Sequence, residues 1–235
     1  DMEIDVVFKC AGSNQAEAQQ RADASTLSMV PDDNRGLIIK PVVPERRRGN
    51  DGASITIHHP GSRELIVHTS NGAIRVRELN GKCQLTTSNG PITLKKQTGA
   101  AVLETSNGNI NVVDIDGHLK AVTSNGVVSV ENITSPADIK TSNGNITIVL
   151  VDGQKGPLNL KTSNGSIHVN AGDGFTGMVR ISTSNGKAEL IGDIPENTNV
   201  ISDSRSKKTI RIGDDDAESV FTTSNGNVIL EINKE

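Results

Sequence analysis

Three histidines and an arginine run are the residues of this chain whose types most readily suggest binding chemistry. His58 and His59 are neighbours and His68 follows them, so the three imidazoles suggest a metal site. Adjacent residues of a regular strand point to opposite faces, however, so His58 and His59 cannot chelate one ion together. The run Arg46–Arg48 is short and has acidic residues beside it, so we interpret it as a solvated loop. The sequence therefore predicts neither a metal site nor an anion site here.

Two groups of aspartates could bind calcium, because carboxylate oxygens are among its preferred ligands. They are Asp114 with Asp116, and the run Asp214–Asp216. Calcium-binding β-rolls place Asp within a repeated G-G-x-G-x-D pattern, and the repeat of this chain is a different one. We therefore interpret both groups as solvated corner residues. The sequence also lacks a Ser/His/Asp order, a P-loop, a Rossmann fingerprint and a Cys-pair zinc spacing, so it predicts no catalytic residue and no cofactor.

Charge and composition argue against several classes of partner. The net charge is −4, which provides no electrostatic attraction to nucleic acid or to an anionic membrane. The chain has three Phe, no Trp and no Tyr, so it lacks the stacking platforms of single-strand binders and the aromatic platforms of many sugar sites. No run of about 18 apolar residues is present, so no transmembrane helix is expected. A core this poor in aromatics suits a narrow interior filled by small aliphatic side chains.

The tetrapeptide Thr-Ser-Asn-Gly, which occurs eight times, determines the expected architecture. Its copies begin at Thr69, Thr87, Thr105, Thr123, Thr141, Thr162, Thr183 and Thr223. The first five copies are 18 residues apart, the next two steps are 21, and the last gap is 40. A degenerate copy at Asp203–Ser206 would divide that gap into two steps of 20. A short repeat of nearly constant length is typical of a solenoid, in which one structural unit stacks on itself.

Alternation of apolar and polar residues places two strands in each repeat. In one repeat, Cys83, Leu85 and Thr87 alternate with polar neighbours, and Ile92 and Leu94 do so after the Asn-Gly corner. Period-two alternation indicates a strand with one buried face. Stacking at the strand spacing of about 4.8 Å gives two parallel sheets around a thin aliphatic core. We therefore predict an all-β, two-sheet β-solenoid of about nine coils, each about 18–21 residues long.

The Asn-Gly pair of each repeat is predicted to form a tight corner. Gly accepts positive φ, and Asn tolerates it best among the other residues. The Asn side chains can hydrogen-bond along the stack as a ladder, and the Thr hydroxyl can bond a backbone group at the corner. We interpret the motif as structural rather than as a ligand site. The predicted ladder residues are Asn71, Gly72, Asn89, Gly90, Asn107, Gly108, Asn125, Gly126, Asn143, Gly144, Asn164, Gly165, Asn185, Gly186, Asn225 and Gly226.

The ends of the chain differ from the repeats. Residues 1–62 are predicted to form a β-rich cap with a short helix from Gln15 to Ala24, and residues 63–235 the solenoid. Strands are expected near 2–8, 37–39 and 54–57, and no separate C-terminal cap is expected. Each coil is expected to have a second, looser corner, which ends near Gly81, Gly99, Gly117 or Gly153. Insertions at 154–156 and 172–174 are expected to bulge from this second corner. Cys10 and Cys83 are compatible with one disulfide or with two thiols, and the inward position of Cys83 favours a buried thiol.

Solenoids of other sequences suggest two rival functions. Polysaccharide lyases and hydrolases use stacked coils, but they need a cluster of carboxylates or basic groups in one cleft, and the sequence shows none. Ice-binding solenoids carry a regular Thr array on an outer face. Here the outward column before each motif is mixed and reads His68, Thr86, Glu104, Val122, Lys140, Lys161, Ser182 and Thr222. The chain is therefore predicted to be neither an enzyme nor an ice-binding protein.

Repeats of the form V/L-x-T-S-N-G-x-I-x-V, after strand-rich segments at 55–60 and 64–67, resemble the bacterial putative-adhesin family. This is a domain-of-unknown-function family with a β-solenoid fold related to toast-rack domains, and the resemblance covers roughly residues 50–235. It implies an exported bacterial protein of the cell envelope, either periplasmic or extracellular at the cell surface. The family provides no catalytic residues to transfer.

The expected function is therefore that of a non-enzymatic adhesin or scaffold, with a surface glycan or an envelope protein as partner. The variable outward columns would bind, because the inward columns are committed to the core. Two alternatives stay open: an envelope-stress or regulatory sensory module that binds a membrane protein, and a polysaccharide-acting enzyme. A continuous apolar outward patch would favour a protein partner, and a cluster of acidic or basic groups on one face would favour the enzyme. The oligomeric state also stays open.

Overall fold

The computed structural model describes residues 3–31, 37–43, 51–58, 64–151, 157–172 and 174–233. The Arg46–Arg48 run, His59, Gly153 and the predicted insertion at 154–156 lie outside the described residues, as does Asp173 of the second insertion. Within the described ranges the chain forms 22 strands and one helix. Their bounds are β1 (Glu3–Lys9), α1 (Gln15–Asp23), β2 (Thr26–Pro31), β3 (Leu37–Val42), β4 (Gly52–His58), β5 (Leu65–His68), β6 (Ile74–Arg77), β7 (Cys83–Thr87), β8 (Ile92–Thr98), β9 (Ala101–Thr105), β10 (Ile110–Asp116), β11 (Leu119–Val122), β12 (Val128–Ile133), β13 (Ala137–Lys140), β14 (Ile146–Leu150), β15 (Leu158–Lys161), β16 (Ile167–Gly172), β17 (Gly177–Asn185), β18 (Ala188–Gly192), β19 (Thr198–Asp203), β20 (Lys207–Ile212), β21 (Glu218–Asn225) and β22 (Val228–Asn233).

The strands form two sheets whose central strands are all parallel. The first sheet has ten described strands, in the order β1-β4-β6-β8-β10-β12-β14-β16-β22-β18, and the second has twelve, in the order β19-β20-β17-β21-β15-β13-β11-β9-β7-β5-β3-β2. Each coil places one strand in each sheet, so the described strands build nine coils, from β3–β4 at one end to β17–β18 at the other. The predicted all-β, two-sheet solenoid is confirmed.

The repeat length sets the register between neighbouring coils. Leu85 pairs with Leu103, and Leu103 pairs with Ala121, so equivalent residues stand in columns along the stack. These three side chains are fully buried, whereas Gln84, one residue away in β7, is exposed. The alternation in the sequence therefore predicted correctly which side chains face the core.

Two antiparallel strands cover the N-terminal end of the stack. β1 pairs antiparallel with β4, and β2 pairs antiparallel with β3, while β3 and β4 themselves pair parallel with β5 and β6. The strands predicted near 2–8, 37–39 and 54–57 and the predicted helix are present as β1, β3, β4 and α1. β2 was not predicted. Because β1 and β2 run against their neighbours, they end the parallel stack at this side of both sheets.

A buried ion pair attaches α1 to this end. The Arg21 guanidinium donates from Nη2 to Asp51 Oδ2 at 2.7 Å and from Nη1 to Oδ1 at 3.1 Å, and both residues are buried. The same carboxylate accepts from the Ala11 backbone N–H at 2.8 Å. The hydrogen bonds to Asp51 raise the pKa of Arg21. This bidentate contact positions the helix relative to the first coil.

The C-terminal end differs from the predicted order of coils. β21–β22, the last coil in the sequence, lies between β15–β16 and β17–β18. The expected degenerate copy at Asp203–Ser206 is wrong: these residues belong to the turn of the antiparallel hairpin β19–β20, where the Ser204 N–H donates to the Lys207 carbonyl at 2.8 Å. The expectation of no C-terminal cap is also wrong. β20 pairs antiparallel with β17, so the hairpin covers the end of the second sheet.

Both cysteines are free thiols in the structure. Cys83 points into the core from β7 and is 3 % exposed. Burial raises the pKa of Cys83 to about 12, because the thiol would have to ionise to a charged thiolate away from water. The buried thiol expected at Cys83 is confirmed, and Cys10 is only partly buried.

The two thiols are expected to react at very different rates. The thiolate is the reactive form, so a water-soluble disulfide reagent such as DTNB should titrate Cys10 in the native protein and leave Cys83 unmodified. In guanidinium both should react. Peptide mass mapping locates the labelled residue. Rapid labelling of Cys83 in the native protein would contradict the assignment of its side chain to the core.

Candidate functional site

The Asn side chains of the motif form one continuous row at the first corner of the coils. Asn89 Nδ2 donates to Asn71 Oδ1 at 2.6 Å, and Asn107 Nδ2 donates to Asn89 Oδ1 at 2.7 Å. The row starts where Asn71 Nδ2 donates to the Asp51 carbonyl at 2.6 Å. Along the stack the order of the row is Asn71, Asn89, Asn107, Asn125, Asn143, Asn164, Asn225 and Asn185. The structure thus brings all eight predicted Asn residues together, with the last two in reversed sequence order.

The motif glycines are needed because successive coils approach closely, which corrects the expected reason. Among them only Gly226 has a left-handed φ, of 147°. A Cβ on Gly126 would lie 1.9 Å from the Gly108 carbonyl oxygen, and one on Gly108 would lie 1.8 Å from that of Gly90. No side chain fits at such distances without separating two coils. The left-handed glycines lie instead at the second corner, as at Gly81, Gly99 and Gly117.

The Thr hydroxyls join each coil to the preceding one. Thr105 Oγ1 donates to the Gly90 carbonyl at 3.1 Å, and Thr123 Oγ1 donates to the Gly108 carbonyl at 3.0 Å. Equivalent bonds are made by Thr69, Thr87, Thr141, Thr162, Thr183 and Thr223. All eight Thr residues are buried. Along the stack, the Asn of a motif therefore bonds to the neighbouring Asn, and its Thr bonds to the neighbouring Gly carbonyl.

Removing one rung of the Asn row should have a modest effect. Asn125→Ala removes the bond to Asn107 at 2.8 Å and the bond from Asn143 at 2.8 Å. Because these amides are exposed to water, we expect the free energy of unfolding to fall by about 1 kcal/mol. Ser124→Ala, at the exposed neighbouring position, should change it by less than half as much. Equal melting curves for the two variants would contradict an energetic role of the row.

A residue in the left-handed conformation lies shortly before the second corner in several coils. Glu78, Lys96, Asp114 and Asn132 hold the same position in four successive coils, with φ angles of 58°, 53°, 57° and 57°. Lys96 Nζ donates to Glu78 Oε1 at 3.1 Å, and Asn132 Nδ2 donates to Asp114 Oδ1 at 2.8 Å. The hydrogen bond and charge of Lys96, with a smaller contribution from His58, lower the pKa of Glu78. Polar side chains thus line this edge in bonded pairs.

A shallow groove of about 340 Å³ lies beside these residues. Asp114 and Asp116 both line it, together with Asn132 and Thr134. Asp116 Oδ1 accepts from Thr134 Oγ1 at 2.9 Å, so each of the two aspartates accepts a hydrogen bond from the next coil. In the described ranges, no group of three or more His, Cys, Asp or Glu side chains is placed to hold a metal ion.

Gln97, in the wall of the same groove, is a buried polar residue that the sequence interpretation missed. It is 1 % exposed and pairs with Ile115 in an otherwise apolar column. Its Nε2 donates to the carbonyls of Thr98 and Gly99 at 3.3 Å each, and to that of Gly81. Its Oε1 is buried without a partner among the described residues. The signal that could have identified it is the single Gln in a column where the next coils carry Ile.

Of the histidines singled out in the sequence, the two that the structure describes do not assemble. His58 belongs to the first sheet, where its Nε2 lies 3.0 Å from Glu78 Oε2, and His68 belongs to the second sheet. Burial, with a smaller contribution from Lys40, lowers the pKa of His68. In the other acidic group, Asp215 Oδ1 accepts from the Ala217 N–H at 2.9 Å in the loop before β21.

The outward faces of the coils carry mixed polar and charged side chains. Lys120 Nζ lies 3.6 Å from Glu104 Oε1, and Arg180 Nε lies 2.5 Å from Glu218 Oε1. The large exposed apolar side chains lie mostly at the two ends of the stack: Val7, Met29, Val30 and Val42 at one, and Ile191, Ile194, Val200 and Ile201 at the other. Along the described coils between these ends, only Val127 and Val149 belong to this group. The side faces therefore offer polar rather than apolar recognition.

Two-strand coils, parallel stacking and an Asn row define the class of this protein: a two-sheet parallel β-solenoid. The chain belongs to the family described as Domain of unknown function (DUF7330), whose model matches residues 100–231, more than half of the chain. This agrees with the expected membership of a domain-of-unknown-function family. No curated protein matches the chain.

A solved structure of low similarity is that of a "putative cell adhesion protein" from Clostridium sporogenes. The match is 10 % identical in sequence, covers 100 % of this chain and 82 % of that chain, and has a TM-score of 0.26. At that TM-score the likeness supports no argument about fold or function. In the described part of this chain, no helix is long and apolar enough to span a bilayer.

Proposed function

We propose that the protein is a non-catalytic, exported binding scaffold that recognises a surface glycan or an envelope protein through the outward columns of its stack. The observation that carries the proposal is the contrast between inner and outer columns. At one position of successive coils the buried residues are Leu103, Ala121 and Ile139, and their outward neighbours are Glu104, Val122 and Lys140. Export is supported by the resemblance to putative-adhesin proteins alone.

The stack suits such a role because its shape does not depend on its outer residues. The core columns, the Thr hydroxyl bonds and the Asn row hold neighbouring coils in register. Outward side chains can therefore change from coil to coil without altering the backbone that presents them. Mixed charges and hydroxyls on such a rigid face are suited to polar ligands, whose recognition needs several hydrogen bonds in a set geometry.

Binding of the purified chain to solubilised envelope proteins and to a panel of envelope polysaccharides tests the proposal. Lys140 and Lys161 are exposed partners in the second sheet, so Lys140→Glu with Lys161→Glu reverses the charge of that face. Lys187→Glu makes the same change at an exposed corner residue and is the control. We expect saturable binding to a glycan or to one protein, weakened by the double variant and retained by the control.

The outcomes separate the alternatives. One enriched membrane protein without glycan binding would favour the regulatory module. Equal binding by the double variant and the control would place the site outside the second-sheet face. The absence of saturable binding to either class would contradict the proposal and leave a structural spacer as the remaining account.

A further inference from the structure

The C-terminal coil occupies a slot between two coils that are consecutive in the sequence. β21 pairs with β15 on one edge and with β17 on the other. β22 likewise pairs with β16 and with β18. The segment 218–233 is therefore an interior rung of both sheets, although it is the last described part of the chain to be synthesised. At this end, neighbouring coils of the stack are therefore not neighbours in the sequence.

The two walls of the slot carry the same corner residues as the inserted coil. Thr183 pairs with Thr223 and Asn185 with Asn225, in matching positions of identical corners. Asn225 Nδ2 donates to Asn164 Oδ1 at 2.7 Å, and Asn185 Nδ2 donates to Asn225 Oδ1 at 2.8 Å. The inserted corner therefore donates to one wall and accepts from the other. Because it carries the same residues as both walls, the corresponding coil of a second copy fits the slot in the same register.

The connection that leads into the C-terminal coil is a short loop. The loop from β20 to β21, residues 213–217, contains three successive aspartates after Gly213, whose φ is 62°. Arg211 Nη1 lies 3.8 Å from Asp216 Oδ1 in this loop, and short hinge loops favour exchange of an element between copies.

We propose that the segment 218–233 is an exchangeable coil and that its second partner is another copy of this chain. The coil of one copy enters the slot of the other and receives that copy's coil in return, which forms a symmetric dimer. Every strand pair of the closed monomer recurs in the dimer, so no pairing is lost by the exchange. The exchange goes beyond the binding role proposed above and does not depend on its ligand.

A disulfide across the edge of the slot reports the exchange. Ser182 and Thr222 are paired in register, with Oγ and Oγ1 3.2 Å apart, and neighbouring strands lie within the span of a disulfide. Ser182→Cys with Thr222→Cys, in a Cys10→Ser background, forms the bond within one chain in the monomer and between two chains in the exchanged dimer. The control pair is Thr86→Cys with Glu104→Cys, which joins consecutive coils in the same register.

The slot-pair and control-pair variants are refolded from guanidinium at about 1 µM and at about 1 mM and are then oxidised. Over this range, association of two chains competes increasingly with insertion of the coil into its own chain. On a non-reducing gel, the slot pair should give a covalent dimer whose fraction rises with protein concentration, while the control pair stays monomeric. Single-chain bonds in the slot pair at both concentrations would overturn the proposal. Dimers in equal amounts from both pairs would also overturn it, because they would indicate random cross-linking.

Discussion

Replacing Gly126 with Ala is expected to destabilise the stack strongly although it adds only one methyl group. The added Cβ would lie 1.9 Å from the Gly108 carbonyl oxygen and 2.6 Å from its carbon. Both are backbone atoms, so two coils must separate and the hydrogen bonds between them must lengthen. We expect the free energy of unfolding to fall by on the order of 3 kcal/mol and Tm by about 10 °C. Thermal denaturation followed by circular dichroism measures the effect.

A matched pair of variants separates close approach from backbone conformation. Val127→Ala, at the exposed next residue, should leave Tm nearly unchanged. Gly126→Asn tests the explanation, because Asn tolerates a left-handed φ but carries the same Cβ. If the close approach of the coils is the cause, Gly126→Asn should lower Tm at least as much as Gly126→Ala. Full stability of Gly126→Ala would contradict the close approach of the coils at this corner.

Replacing Leu103 with Asp should unfold the coils around β9. The Leu103 side chain is fully buried, with 0 % relative exposure to solvent. It pairs with Leu85 on one side and with Ala121 on the other. The substitution removes its apolar contacts and buries a carboxyl group without a partner, at a cost of at least about 4 kcal/mol. Because each coil contacts mainly its neighbours, protection from hydrogen exchange should be lost first in the adjacent coils.

Glu104→Ala is the control for this prediction. Glu104 lies next in the same strand but faces outward, where its carboxylate is 3.6 Å from Lys120 Nζ. An exposed ion pair contributes little to stability, so its loss should be nearly silent in thermal denaturation. Similar tolerance at positions 103 and 104 would refute the assignment of inward and outward faces.

The repeat predicted the register of the coils but not their order, for a physical reason. Hydrophobic alternation determines which face of a strand is buried, and a constant period keeps equivalent residues in columns. Identical corners, however, can stack on one another in any order, as Asn164, Asn225 and Asn185 do. The order depends on segments such as the hairpin β19–β20, which carries no copy of the motif.

The role of the motif glycines was only partly predictable. A sequence can suggest a left-handed backbone at a glycine, because the freedom to adopt positive φ is a property of that single residue. The glycines of the second corner, such as Gly99, do have positive φ. The distance between Gly126 and the Gly108 carbonyl is a property of two coils. It follows from the stacking itself, so the motif alone could not indicate it.

Contacts between unlike segments were the least predictable. Arg21 and Asp51 form a buried ion pair across 30 residues without any periodic pattern to relate them. The groove beside Asp114 and Asp116 likewise depends on the path of the chain at the second corner. Both features needed three-dimensional placement, because their partners come from separate coils or from the cap.

Nuclear Overhauser contacts between the side-chain amides of the last three rungs test the coil order most directly. With Asn side chains assigned, the structure predicts contacts from Asn225 to both Asn164 and Asn185, whose amide bonds to it are 2.7 Å and 2.8 Å. It predicts no direct contact between Asn164 and Asn185. A direct contact between those two, with Asn225 at the end of the row or outside it, would contradict the inserted coil.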